Sequence, residues 1–262
     1  MVRLIASDID GTLLQGNATT LNKRLFEQIR ILKEHNIQFV AASGRQLASI
    51  CNLFHPVKDE ISYIAENGSL CIHQGKVISK SIIEKSLATQ IINTISNVPD
   101  WNCIVSGEHV CYTTSKNPDF IRMLAKDLKN EVVCVDDFLS EVAEPILKIA
   151  VCDIHSPQKT LAYFQDAFAD KIKVVTSGRT WFDFIAPNAN KGIALTTLSD
   201  YLNIPLSNCL AFGDQYNDTE MLEYAGTSYA MSNAAPGISY YATYVTDSVI
   251  DVLDDLIASL DL

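Results

Sequence analysis

Basic residues are scarce in this chain: its 262 residues carry 20 Lys+Arg against 31 Asp+Glu, a formal charge of −11. Such a polyanion repels phosphodiester backbones, and the clustered Lys and Arg that nucleic-acid binding rests on are missing. No run approaches the roughly 18 apolar residues of a membrane span. The opening stretch, Met1 to Ser7, is apolar too briefly before Asp8 and Asp10 to form a signal-peptide core. There is no C-x-x-C pair. The seven cysteines (Cys51, Cys71, Cys103, Cys111, Cys134, Cys152, Cys209) are odd in number and widely spread, which argues against a zinc cluster or a disulfide framework. Low-complexity segments and long polar linkers are absent as well. These absences predict a reduced, cytoplasmic, soluble protein with no nucleic-acid or membrane partner. Its oligomeric state is unread, and a monomer fits.

Hydrophobic residues make up 48% and charged ones 19%, and a chain of this length buries roughly 70–75% of its unfolded surface. That supports one large α/β domain or two smaller ones. Leu4–Ser7 is a short apolar run, and Leu25, Ile29 and Leu32 follow at helical spacing. Ile37–Ala42 and Ser62–Ala65 are further strand-forming runs, with a helical stretch to Phe54 between them. The β-α-β-α-β rhythm implies parallel strands with right-handed crossovers.

The rhythm then breaks. Leu70–His73 and Lys76–Ser79 alternate about Gln74-Gly75, a hairpin signal. Helix-strand-strand material follows: helix 84–96, strands 103–106 and 110–113, helix 118–129, an extended run 147–153, helix 157–169, and strands 172–176 and 180–185. At Lys191 the first rhythm returns, with a helix to Leu202, a strand ending near Phe212, a helix 219–225, strands 228–231 and 244–246, and a closing helix. The expected architecture is a doubly wound, mainly parallel sheet over 1–82 and 187–262, interrupted by an inserted α+β unit over 83–186.

In open parallel sheets, ligands sit beyond the carboxyl ends of the strands where strand order reverses. The polar residues at those ends are Asp8, Asp10 and Thr12, then Ser43, Gly44 and Arg45, then Asn67, then Asp214, Asn217 and Asp218. Taken singly they are ambiguous: Asp-Gly is an ordinary turn pair, and Asp, Asn or Ser at a helix start is an ordinary cap. Several carboxylates on one edge nevertheless repel unless a cation or shared protons relieve them, and an all-oxygen site suits Mg²⁺. Lys191 opens a helix, where the macrodipole disfavours a cation, and a bound anion reconciles it. Ser43-Gly44 offers a hydroxyl and backbone N–H groups to phosphate oxygens. Mg²⁺, an anion-binding Ser and Lys, and a nearby carboxylate together describe phosphoryl transfer.

In this order the residues resemble the haloacid dehalogenase superfamily of phosphatases. Asp8-Ile9-Asp10-Gly11-Thr12 is similar to its D-x-D-G-T motif, and Ala42-Ser43-Gly44-Arg45 to its second motif. Lys191-Gly192 and Gly213-Asp214-Gln215-Tyr216-Asn217-Asp218 are similar to its third and fourth. Glu66-Asn67-Gly68 and 229–234 look like the Cof-type subgroup, the insertion looks like its type IIB cap, and 61–69 and 175–187 look most like the bacterial sugar phosphatases. Ser232 stands where that subgroup usually has Gly, and 248–251 lacks its usual Asp-Gly.

The resemblance implies that Asp8 is the nucleophile and Asp10 the acid/base. It implies that Mg²⁺ is held by Asp8, the Asp10 carbonyl and Asp214, with Asp218 behind them, and that Ser43, Gly44, Lys191 and Asn217 contact the phosphoryl group. The expected activity is hydrolysis of hexose or pentose phosphates through an aspartyl-phosphate. The alternatives are a phosphomutase, a phosphatase of another small monoester (nucleotide, pyridoxal phosphate or flavin precursor), and a non-catalytic sugar-phosphate sensor. In the insertion, Trp181 is expected to pack in the core, while Arg179, His109 and Asp183 are expected to be solvated. Arg45 is left between a phosphate contact and a pair with a neighbouring carboxylate.

Overall fold

A computed structural model describes residues 1–98, 101–168, 171–177 and 180–260. The chain divides into two compact units, one formed by Met1–Arg45, Ile50–Ser79 and Asn190–Leu262, the other by Gln46–Ser49 and Lys80–Ala189.

In chain order the first segment gives β1 (Leu4–Ser7), α1 (Lys23–Glu34), β2 (Gln38–Ala42), α2 (Leu47–Leu53), β3 (Ser62–Ala65), β4 (Leu70–His73) and β5 (Lys76–Lys80). The insertion gives α3 (Lys85–Ser96), β6 (Asn102–Ser106), β7 (Cys111–Thr113), α4 (Pro118–Arg122), β8 (Val132–Cys134), α5 (Phe138–Glu141), β9 (Lys148–Cys152), α6 (Pro157–Phe168), β10 (Lys173–Ser177) and β11 (Trp181–Ile185). The return gives α7 (Lys191–Tyr201), β12 (Cys209–Gly213), α8 (Thr219–Tyr224), β13 (Thr227–Met231), β14 (Tyr244–Thr246) and α9 (Val249–Leu260).

The first unit is built on a sheet of order β14-β13-β12-β1-β2-β3-β4-β5. From β14 to β3 every neighbour is parallel, and β4 turns back antiparallel on β3. Strand β1 is central because both its faces are apolar: Leu4 and Ala6 pack with Leu195, Leu198 and Met221 on one side, and Ile5 is fully buried on the other. Helix α1 begins where Asn22 accepts from the Arg24 N–H (2.9 Å), and it buries Leu25, Ile29 and Leu32, the stripe its spacing predicts. The β4–β5 turn places Gln74 (φ 49) and Gly75 (φ 74) in left-handed conformations, as a two-residue hairpin requires.

The second unit has a sheet of order β10-β11-β9-β6-β7-β8, antiparallel except for the β7–β8 pair. Alternate residues of its central strands, such as Val105, Ile149, Val151, Phe182 and Phe184, form a core with Ile91 and Ile95 of α3 and Phe164 of α6. Trp181 faces the other way, stacked on Phe120 at 6.0 Å. Two expectations fail here. Asp183 is 1% exposed and pairs with Lys148 at 3.5 Å, on the same covered face of β11 as Trp181. The helix expected through 129 ends at Arg122 and continues as a π-helical turn, Met123–Asp127. His109 is exposed beside Glu144 (3.4 Å), as expected. Arg179 lies outside the described residues.

Burial pushes His73 below its ordinary value of 6.5, with Ser62 Oγ at 2.7 Å from its Nδ1. The unfolded chain then takes up a proton first as pH falls, so stability present above pH 6.5 is lost between that value and the lower folded one. His73→Gln is expected to reduce the fall in urea midpoint between about pH 7.5 and about pH 5.5. An undiminished fall in that variant would exclude His73 as its source.

Candidate active site

Strand order reverses at β1, from which the chain proceeds to β2 and β3 on one side while β12, β13 and β14 lie on the other. At the carboxyl ends of β1 and β12 stand Asp8 and Asp214, and Asp218 begins the turn into α8. All three are buried, with carboxylate oxygens within 4.8 Å of one another.

Lys191, fully buried, reaches this group from the first position of α7. Its Nζ donates to Asp8 Oδ1 and to Asp218 Oδ1, both at 2.6 Å. Asn190 caps the helix by accepting from the Ile193 N–H (2.7 Å), so the lysine is aimed by the helix start itself. Asp218 Oδ2 accepts from the backbone N–H groups of Asp214 and Gln215, both at 3.0 Å. Thr12 Oγ1 donates to Asp214 Oδ1 at 2.8 Å.

Burial pushes Asp8 well above the ordinary aspartate value; Lys191 opposes this, while Asp218 and Asp214 reinforce it. Burial likewise raises Asp214, against the hydrogen bond from Thr12. For Lys191, burial acts downward but is outweighed by Asp218 and then Asp8, so the ammonium is held charged. Three carboxylates against one lysine leave a surplus of negative charge in a buried, all-oxygen pocket. That donor set fits a hard divalent cation.

Around this centre the other sequence candidates fall as follows. Ser43 is buried and accepts from the Arg45 N–H (3.2 Å). It does not cap a helix, since α2 starts only at Leu47. Gly44 lies so close to Asn67 that a Cβ would sit 2.8 Å from Asn67 Oδ1. Asn217 Nδ2 donates to that same oxygen at 2.9 Å. Asp10 is half exposed, its carboxylate gripped by Arg45 through Nε (2.7 Å) and Nη2 (2.6 Å).

Sequence reasoning assigned no role to Thr12, Asn67 or Asn233, all of which shape the site. Asn233 Nδ2 donates to the Gly11 carbonyl (2.9 Å) and the Ala235 N–H to the Asp214 carbonyl (2.8 Å), so the 231–235 loop braces both acidic turns. All three lie within segments that carried the family resemblance, Thr12 in 8–12, Asn67 in 66–68 and Asn233 in 229–234, and that membership was the available signal. Glu66, Asn67 and Gly68 all have positive φ (50, 57 and 94), a rare run for residues with side chains and one that clusters at functional sites.

Gly11 (φ 94) leaves no room for a side chain, because a Cβ there would lie 2.2 Å from Asp214 Oδ2. Gly11→Ala is expected to cost about 1–3 kcal/mol and to displace Asp214. A thermal melt unchanged from wild type would show that the turn relaxes freely.

A switch-point sheet that gathers buried aspartates around one lysine defines the class, an α/β protein with an acidic site at the carboxyl ends of its parallel strands. A family model for haloacid dehalogenase-like hydrolases matches residues 5–252. An Escherichia coli K12 relative, 5-amino-6-(5-phospho-D-ribitylamino)uracil phosphatase, is 30% identical, over 98% of this chain and 96% of its own length. The HMP-PP phosphatase of Citrobacter koseri is 28% identical over 90% and 86%. Among solved structures, a Streptococcus mutans UA159 protein matches with a TM-score of 0.86 at 27% identity, over 98% of this chain and all of that one (100%). A subclass IIB sugar phosphatase shares the fold at a TM-score of 0.83 and 21% identity, over 99% and 98%. The chain belongs to the haloacid dehalogenase-like hydrolases.

No helix among the described residues is long and apolar enough to cross a membrane.

Proposed function

We propose that this protein is a Mg²⁺-dependent phosphatase that cleaves a primary alkyl phosphate from a small polyhydroxylated metabolite through an aspartyl-phosphate. The observation that carries the reading is Lys191 bridging Asp8 and Asp218 at 2.6 Å each, with Asp214 beside them. Binding alone does not require this concentration of buried charge.

In the first step an Asp8 oxygen attacks phosphorus as the bond from phosphorus to the ester oxygen breaks, and Asp10 gives its proton to the departing oxygen. In the second, Asp10 takes a proton from water. That water attacks the same phosphorus, the bond to Asp8 breaks, and phosphate leaves. Lys191 has three N–H donors, of which two carboxylates engage two, so the third is available to a phosphoryl oxygen. Ser43, the Gly44 backbone and Asn217 are the other phosphoryl contacts. The Asp8 and Asp214 carboxylates and the Asp10 carbonyl, with Asp218 behind, would hold a divalent cation, which would neutralise phosphoryl charge.

For substrate, the names of the similar E. coli and Citrobacter enzymes favour a heterocyclic metabolite phosphate over the free hexose or pentose phosphates expected from the motifs. The two readings share chemistry, because a 5-phosphoribityl group is itself a phosphorylated polyol. The first candidate is 5-amino-6-(5-phospho-D-ribitylamino)uracil, with sugar phosphates second.

The test is phosphate release from that compound, sugar phosphates, nucleotides and pyridoxal phosphate, with Mg²⁺ and with EDTA. Metal-dependent release with the highest kcat/KM on the ribityl compound is expected. A clear preference for a hexose phosphate would restore the sugar reading, and no release from any monoester would overturn the hydrolase mechanism.

A further inference from the structure

Arg45 has no part in the mechanism above, yet it grips the Asp10 carboxylate at two points. Its Nε and Nη2 meet Asp10 Oδ2 and Oδ1 at 2.7 and 2.6 Å, the fork geometry that only guanidinium offers. We propose that Arg45 is a positioning residue, fixing the Asp10 carboxylate for proton transfer to the leaving oxygen and from water. This inference rests on the acid/base role given to Asp10 above.

Three observations support it. First, the turn that carries Asp10 is braced through its backbone, but its side chain is 52% exposed. A half-exposed aspartate samples several rotamers unless something selects one. Second, Arg45 is itself anchored through its backbone. Its N–H donates to Ser43 Oγ (3.2 Å), and its carbonyl accepts from the Glu66 N–H (3.0 Å). The neighbouring Ser43 carbonyl accepts from the Asn67 N–H (3.0 Å). The left-handed run at 66–68 thus holds the turn from which the guanidinium extends. Third, Arg45 side-chain exposure is only 22%, so the fork approaches Asp10 from a packed surface rather than as a surface arm. Ordinary exposed ion pairs lack this combination and contribute little. Here the value of the pair lies in geometry: misplacing a reacting group by about 1 Å can cost on the order of 10²-fold in rate.

The leaving group provides the test. Nitrophenolate departs without a proton, whereas a sugar alkoxide needs one from Asp10; hydrolysis of the aspartyl-phosphate needs Asp10 for either substrate. In the full-length Mg²⁺-loaded protein, Arg45→Ala is expected to lower kcat for ribose 5-phosphate by on the order of 10²-fold, with KM changed less than about threefold. With p-nitrophenyl phosphate it is expected to give a rapid burst of about one nitrophenolate per site followed by slow turnover. Arg45→Lys, which keeps the charge but not the fork, should fall between wild type and Arg45→Ala. It also serves as the reading should the alanine variant fold poorly.

The deciding measurement is the double-mutant cycle with Asp10→Asn. If Arg45 acts through Asp10, adding Arg45→Ala to Asp10→Asn costs nothing further. A further tenfold or greater loss in the double variant, or a defect confined to KM, would overturn the assignment and make Arg45 a substrate contact. Failure of the wild-type chain to turn over either substrate would overturn the phosphatase reading itself, and this inference with it.

Discussion

Asp8→Asn is expected to abolish turnover, by on the order of 10⁴–10⁶-fold, while leaving the metal-free protein at least as stable as before. The catalytic half rests on the role proposed for Asp8, because an amide in its place cannot form the proposed aspartyl-phosphate. The stability half follows from the electrostatics. Burial, then repulsion from Asp218 and Asp214, outweighs what Lys191 gives back, so the Asp8 carboxyl sits well above its ordinary value. The folded state therefore gains nothing from that charge, and a near-isosteric neutral side chain removes the repulsion. A steady-state assay and thermal melts in EDTA test both halves. Residual activity above about 1% would move the nucleophile elsewhere, and a markedly lower melt would show that the Lys191–Asp8 contact stabilises on balance. Adding Mg²⁺ should raise the wild-type melt, by about 2.7 kcal/mol at a hundredfold excess over Kd, and should raise that of Asp8→Asn less.

Lys191→Met carries the largest expected stability loss, about 3–5 kcal/mol, the usual cost of breaking a buried ion pair by deleting one partner. Here it strands Asp8 and Asp218 together, both essentially inaccessible. In a protein of this size that corresponds to a fall in melting temperature of roughly 6–20 °C. Because the deficit is one of positive charge, divalent cation should recover more stability in this variant than it adds to wild type. A loss under about 1 kcal/mol, with no larger metal response, would mean that the carboxylates already share protons and that Lys191 is not their counter-charge.

The alternation of strand and helix was legible because the central parallel strands β1 and β12 are buried along their whole length and end in polar turns, at Ser7-Asp8 and Gly213-Asp214. The site residues were legible for the same reason, since strand ends deliver them to one edge whatever lies between. What escaped depends on distant pairing. β8 is three residues, two of them exposed, paired only at the edge with β7, so neither length nor pattern announces it. Asp183 reads as a surface residue until the sheet places Lys148 beside it. Arg45 was undecided because its partner, Asp10, is 35 positions away.

The central strand β1 is flanked by β2 from the same end of the sequence and by β12 from the other, and Asp8 meets Lys191 across 183 positions. On a ribosome this sets an order of events. The insertion, with a core of its own, has all its parts before the sheet around β1 can close. A nascent chain that has just completed it exposes the edge of β1 that β12 will cover and carries Asp8 without its lysine. Such an unpaired edge is the kind of intermediate that aggregates or recruits chaperones. Under the proposed mechanism, competence arrives only with the last third of the chain, which brings Lys191, Asp214 and Asp218 to Asp8, so shorter products would be inert as catalysts and costly as folding clients.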